Sequence, residues 1–406
     1  MSQTLAVRPT IHGPEAETPE ALAARLEGLT AALAATAAAY DESGAFPHAN
    51  FALLHRHGLL GLTVPAALGG GGASLSQARQ VITAVARGEP STALILVMHY
   101  LQHTRLQDSA TWPAHLRTRV ATEAVQQGAL INALRVEPEL GTPARGGLPA
   151  TVARRTPEGW RISGRKLYST GSHGLTWLSV WARSDDDDPL VGAWLVLKAS
   201  PGVTIVDAWD HHGMRATCSH EIVLDEVLVP LDHAVSVSRW SAPHSELDAT
   251  GLLWMAVLLS SVYDAIAQAA RDWLVAFLQD RAPSNLGAPL STLPRFQEVV
   301  GQIDTLLFAN RSLLDAAAHG LTATAHAGQV KYLVIGNAIR AVELAIEAAG
   351  NPGLSRANPL QRHYRNVVCG RVHTPQNDAV LLGVGKAAFA AIPRLAPDGR
   401  LPAARD

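Results

Sequence analysis

The chain has 406 residues, 48% of them hydrophobic, with a formal net charge of −2, which is enough for several packed layers around sizeable cores. The near-neutral balance leaves no basic excess for nucleic acid or an anionic membrane surface, so neither is expected as a partner. Two cysteines, Cys218 and Cys369, make neither a disulfide framework nor a zinc-type spacing; no metal is expected, and a reducing cytoplasm fits best.

Residues 1–18 lack a basic head followed by an apolar run, so they read as a flexible tail and not as a signal peptide. From 19 to 128 the apolar spacing is helical, with Leu22, Leu26, Leu29 and Leu33 at three- and four-residue steps. The glycines from Gly69 to Gly72 end that run in a loop, and 74–86 and 91–106 read as two further helices.

From 129 to 240 the period is two. Segments 150–155, 159–164, 178–183, 192–197 and 221–230 read as short antiparallel strands separated by turn residues, with Asp185 to Asp188 at a solvated hairpin tip. That density of strands implies a small barrel or sandwich. From 241 to 395 the pattern is helical again, over 252–278, 293–316, 323–349 and 378–391, and 396–406 is a tail. Four long helices with short loops make an antiparallel bundle. The longest apolar stretch, Gly251 to Leu259, is too short to span a bilayer. The expected class is α+β, mostly α: an N-terminal helical domain, a small antiparallel β-barrel domain, then a C-terminal four-helix bundle.

Five motifs lie on this frame. Trp209 to Pro230 contains Gly213-Met214-Arg215 and leads into a strand ending in Val229-Pro230. Arg135-Val136-Glu137-Pro138 runs on to Gly141-Thr142-Pro143, and Gly164-Arg165-Lys166-Leu167-Tyr168-Ser169-Thr170 follows a predicted strand. Arg281 opens a loop ending in Pro289-Leu290; Glu347 precedes Gly350-Asn351-Pro352-Gly353; and Arg362-His363-Tyr364-Arg365-Asn366 follows. With these motifs, residues 20–390 resemble the acyl-CoA dehydrogenase superfamily.

The resemblance implies a flavin cofactor, FAD or FMN, and assigns residues to it. Thr142 takes the phosphate-binding position, and Tyr168 the aromatic position flanking the isoalloxazine. Thr170 takes the hydroxyl position at the N5/O4 edge, with Ser169 as a second hydroxyl. Arg281 matches the arginine that reaches a neighbouring subunit's cofactor phosphates, as its planar fork suits. Gly350 and Gly353 match the interface segment near the cofactor. A homo-oligomer, dimer or tetramer, follows.

The family's dehydrogenases remove an α-proton with a glutamate while hydride passes to flavin N5. At the usual loop position this chain has His373-Thr374, and at the alternative helical position Thr250-Gly251. Thr374 falls at the glutamate's own position, and neither it nor Thr250 or Gly251 can serve as that base. The resemblance is therefore closest to the two-component monooxygenase branch. That branch takes reduced flavin from a separate reductase and activates O2 as a C4a-hydroperoxide, using hydroxyls near N5 and a histidine.

Histidines number 17, so a lone one carries little information. His373 is singled out by its loop. On the helix bearing Met98-His99-Tyr100-Leu101-Gln102-His103, His103 is the preferred catalytic candidate and His99 the fallback. The reading is a monooxygenase acting on a small apolar or sulfur-containing substrate. The alternative is an FAD-dependent acyl-CoA dehydrogenase with an electron-transfer partner, and a non-catalytic scaffold is the third.

Overall fold

A computed structural model describes residues 19–107, 111–140, 146–242 and 248–392. Five helices come first: α1 Pro19–Ser43, α2 His48–Arg56, α3 Leu75–Gly88, α4 Pro90–Gln107 and α5 Ala114–Gln127. Leu29 and Leu33 of α1 are buried, and α1 packs on α3. A capping box starts α3: Ser74 accepts from the Gln77 amide, and the Gln77 side chain accepts from the Ser74 amide.

Eight strands follow in one sheet: β1 Leu130–Leu134, β2 Val152–Thr156, β3 Gly159–Lys166, β4 Leu175–Ser184, β5 Leu190–Leu197, β6 Val203–Val206, β7 Glu221–Val229 and β8 Ala234–Arg239. The order is β6-β7-β3-β2-β4-β5-β8, with β1 also on β4. Most pairs are antiparallel, but β1 and β2 each run parallel to β4. Of these, β1, β6 and β8 go beyond the five segments expected from alternation. Asp186 and Asp188 close the β4–β5 turn and are satisfied locally, by Ser184 and Ser241.

The C-terminal part comprises α6 Ala249–Asp280, α7 Pro294–Ala318, α8 Ala327–Ala349, α9 Asn351–Leu354, α10 Leu360–Val367 and α11 Asn377–Ala391. Asp248 caps α6, its carboxylate accepting the Gly251 amide at 2.8 Å. By length and apolarity α6 could cross a membrane, but 72% of its apolar window is buried in the protein. It packs on α3, α4, α7, α8 and α10, and so carries the core. By contrast α11 leaves Leu381, Leu382 and Phe389 exposed by 50%, 60% and 88%. Among the described residues, α11 touches α8 but its outer apolar face is left uncovered.

Candidate active site

The site is built around the loop leaving β3. Tyr168 sits in left-handed backbone at φ 53, costly for a residue with a side chain. Its ring projects outward, 55% exposed. It meets Trp209 and His211 edge-on, at centroid distances of 6.3 and 6.1 Å. Trp209 and His211 stack on each other at 3.5 Å. The result is an aromatic platform open on one side, of the kind a flat heteroaromatic ring stacks against.

Ser169 points the other way. It is buried, and Oγ donates to the Lys166 carbonyl at 3.3 Å. Its amide is held by the His220 carbonyl. Thr170 is half-buried, and Oγ1 lies 2.9 Å from Ser219 Oγ, which in turn lies 2.8 Å from Thr217 Oγ1. Thr217 Oγ1 donates to the Met214 carbonyl at 2.9 Å. Each hydroxyl owns one proton. Because Thr217 gives its proton to a carbonyl, Ser219 must donate to Thr217 and Thr170 to Ser219. Thr170 Oγ1 thus keeps its lone pairs for an incoming donor, and a protonated flavin N5 is such a donor. The open platform and this acceptor beside it fit a flavin ring.

Beneath the loop, Lys166 and Glu137 form a buried pair at 2.6 Å. Burial pushes Glu137 up, but hydrogen bonds from Lys166 and Thr151 outweigh it and hold the carboxyl below its ordinary value. Burial lowers Lys166 to about 8. The pair fixes β3 against the segment that follows β1, through the Ala150 and Thr151 amides bonded to the same carboxylate.

The two α4 histidines have different surroundings. His99 is fully buried; its Nε2 lies 2.8 Å from the Leu60 carbonyl and its Nδ1 accepts the Ile131 amide. Both nitrogens are therefore used, Nε2 holding the turn at Leu60 and Nδ1 holding β1 on α4, and burial keeps the ring neutral, with a pKa of about 4. His103 packs edge-on against it at 4.5 Å. His103 is buried too, yet neither ring nitrogen has a hydrogen-bond partner among the described residues. Burial and the neighbouring His99 hold its pKa well below the usual histidine range. A neutral, unsatisfied imidazole of this kind is available to a ligand.

His373 follows the turn 368–372 after α10. Its Nε2 is hydrogen-bonded to the Tyr263 hydroxyl of α6. Lys331 of α8 donates to the carbonyls of His373 and Pro375 at 2.8 and 3.0 Å, fixing the loop. Burial first, and then Lys331, lower His373 to about 4. No carboxylate accompanies it. Among the described residues the buried carboxylates are engaged elsewhere. Glu89 caps α4 through Ser91 and Thr92, and Glu221 pairs with Arg165. Asp264 is bound by Asn310 and Gln268 inside the bundle.

Of the remaining sequence candidates, Thr142 lies outside the described residues. Arg281 caps the end of α6, exposed, without a side-chain hydrogen bond among the described residues. Gly350 ends α8 at φ 64, a conformation favouring glycine, and Gly353 is buried in α9. One chain thus brings Tyr168 and Thr170 together, while Arg281, Gly350 and Gly353 are on the bundle. Trp209, Thr217 and Ser219 lie within the Trp209–Pro230 motif but receive no role from the sequence, and Tyr263 and Lys331 are not singled out by it at all. A further device is the clamp on Gly213: a Cβ there would lie 2.0 Å from the Arg365 carbonyl, while Asn366 accepts the Met214 amide at 2.7 Å.

A small sheet lying between two helical parts of the chain in sequence, with an aromatic platform and an acceptor hydroxyl at the end of one strand, defines a flavin-dependent oxidoreductase scaffold. Family models for the acyl-CoA dehydrogenase N-terminal, middle and C-terminal domains match residues 17–107, 135–227 and 259–378. A putative acyl-CoA dehydrogenase, YdbM, of Bacillus subtilis (strain 168) is 34% identical, over 87% of this chain and 93% of the relative. L-evernosamine nitrososynthase of a Micromonospora species is 30% identical, over 87% of each chain. The structure of KijD3 with FMN and a dTDP-linked amino sugar superposes with a TM-score of 0.79 at 28% identity, covering 92% of this chain and 94% of the other. The chain belongs to the acyl-CoA dehydrogenase superfamily, whose cofactor is FAD or FMN.

Proposed function

We propose that the protein is a flavin-dependent monooxygenase that oxidises a heteroatom of a small molecule, using reduced flavin delivered by a separate reductase. The observation that carries this reading is the loop at His373-Thr374. It offers an imidazole bonded to Tyr263 and no carboxylate, while the described buried carboxylates are committed elsewhere. Abstraction of a carbon-bound α-proton lacks its base there.

Reduced flavin, when bound, supplies two electrons and the carbon at which O2 reacts. One oxygen atom goes to the substrate and the other leaves as water. Tyr168 flanks the ring, and Thr170 accepts the N5 proton's hydrogen bond and so helps retain that proton. Ser169 supports the turn from behind through Lys166. His373 and His103, both neutral near pH 7, offer proton acceptors in water-poor surroundings. Thr142, Gly350 and Gly353 are assigned to the cofactor's phosphates and the interface beside it, and Arg281 to a neighbour's flavin. An amine is the favoured acceptor, in line with the nitrososynthase relative; a sulfur centre is the alternative.

The 34% identity to a putative acyl-CoA dehydrogenase keeps dehydrogenation as the second reading. One experiment separates them. Flavin-loaded protein mixed anaerobically with a panel of acyl-CoAs stays yellow under the first reading and bleaches under the second. Reduced flavin–protein mixed with oxygenated buffer then shows a persistent absorbance distinct from oxidised and reduced flavin. Bleaching by an acyl-CoA, or immediate reoxidation with no such phase, overturns the monooxygenase reading.

A further inference from the structure

Behind the Thr170 loop, three metal-ligating side chains from two loops converge. His173 ends the turn after Thr170, and Cys218 and His220 precede β7. Their ligand atoms all lie within 4.8 Å of one another. The His173 and His220 rings are 4.6 Å apart. A fourth donor stands beside them, with Asp207 Oδ1 3.0 Å from His173 Nε2 and 3.7 Å from His220 Nδ1. From this juxtaposition we propose that His173, Cys218 and His220, with Asp207 as fourth ligand, form a binding site for one zinc-class divalent cation.

Two imidazoles, one thiolate and one carboxylate suit borderline-soft zinc and make a poor site for the hard, oxygen-seeking magnesium or calcium. The charges close: a dication meets one thiolate and one carboxylate, so a half-buried position carries no net charge. Binding releases the Cys218 thiol proton to solvent. It also takes the Cys218 thiol from the Gly44 carbonyl, 3.3 Å away, and the His220 Nδ1 lone pair from the Trp209 amide, 3.2 Å away.

The donors sit on a braced frame. The Ser172 side chain and amide both bond the Cys218 carbonyl, the Ser169 amide bonds the His220 carbonyl, and the Gly171 amide bonds that of Thr217. Cys218 is held in left-handed backbone at φ 43. His173 also lines an open cleft of about 560 Å³ with Phe46, His55, Leu130 and Lys198, which gives the ion a way in. The Thr170–Ser219 hydrogen bond joins the same two loops, so the ion staples the segment that presents Thr170.

The test uses the untagged full-length chain, grown with zinc and dialysed, then measured for zinc by mass spectrometry. One equivalent per chain is expected in the wild type and its loss in Cys218→Ser and His173→Gln, with circular dichroism confirming the fold. If Cys218→Ser does not fold, the more exposed Asp207→Asn, with weakened zinc retention, serves in its place. Titrating the metal-free chain with Co2+ is expected to give a thiolate-to-cobalt charge-transfer band that Cys218→Ser abolishes. No zinc together with no such band, or zinc retained unchanged in every variant, overturns the site.

Discussion

Thr170 and Ser219 are joined by a 2.9 Å hydroxyl–hydroxyl hydrogen bond whose direction is fixed two residues away, where Thr217 gives its only proton to the Met214 carbonyl. Thr170 is therefore a donor toward the protein and an acceptor toward the platform. Thr170→Val is expected to bind flavin but to shorten the oxygen-dependent absorbance phase by about tenfold, roughly one hydrogen bond's worth. Ser219→Ala frees the Thr170 proton to turn outward and reverses its polarity. It should shorten the phase by a similar factor. Stopped-flow absorbance measures both, and an unchanged lifetime in Thr170→Val removes Thr170 from the role.

Acid should unfold this protein through its buried histidines. Burial depresses His99 and His373 to about 4 and His363 to about 3, against 6.5 for a free ring. The unfolded chain therefore takes up protons first as pH falls. The stability these rings contribute is fully present above about pH 6.5 and is lost as pH drops from there toward 4 and below. Each depressed ring costs up to about 1.4 kcal/mol per pH unit in that window. Denaturant titrations at a series of pH values should show stability falling steeply below 6.5. A flat profile down to about pH 4.5 would falsify the buried, neutral assignment.

Lys166 and Glu137 test how firmly the flavin loop is anchored. Both side chains are out of solvent, 0% and 1% exposed. Lys166→Met leaves the Glu137 carboxylate unpaired, and a loss of about 3–5 kcal/mol is expected. Adding Glu137→Gln should recover part of it, because the unpaired charge is removed and the amide oxygen still accepts from one of the two backbone amides, Ala150 or Thr151. A double-mutant cycle by thermal or urea unfolding reads the coupling. Additive losses would show that the pair is not a unit.

Where the sequence was legible, the reason is periodicity or a long apolar run. The helices α3 and α8 have long, regular burial patterns, whereas α4 and the middle of α6 are buried on nearly every side and are legible as long apolar runs. In contrast β1 is nearly all buried beside α4, so Leu130 to Leu134 shows no alternation to read. β6 has only four residues after Gly202, and β8 begins directly after the short turn at Leu231–His233. Within the site, the family resemblance assigns roles to Tyr168 and Thr170. The sequence pattern could not show that Ser169 turns inward, because that depends on the left-handed backbone at Tyr168. Nor could spacing separate His99 from His103: only the fold shows one ring saturated by Leu60 and Ile131 and the other unsatisfied. The cluster of His173, Cys218 and His220 was invisible for the same reason, since its members meet only once two loops are laced together.

Arg281 and α11 together address the missing part of the flavin site. Arg281 is exposed and has no side-chain partner among the described residues, while α11 presents Leu382 and Phe389 to solvent. Under the proposed reading, the apolar face that α11 leaves bare among the described residues is covered by a second copy, and Arg281 at the end of α6 serves that copy's cofactor. Leu382→Glu with Phe389→Glu is expected to shift the protein toward monomer in analytical ultracentrifugation. Arg281→Ala should leave the assembly intact and weaken flavin binding about tenfold or more through loss of a charge-assisted hydrogen bond. The monomeric variant should then match Arg281→Ala in flavin affinity or fall below it, because separating the copies removes the same guanidinium. A monomer that binds flavin as tightly as the wild type would show that each chain completes its own site, and Arg281 would revert to a helix-terminal residue interacting with the dipole of α6.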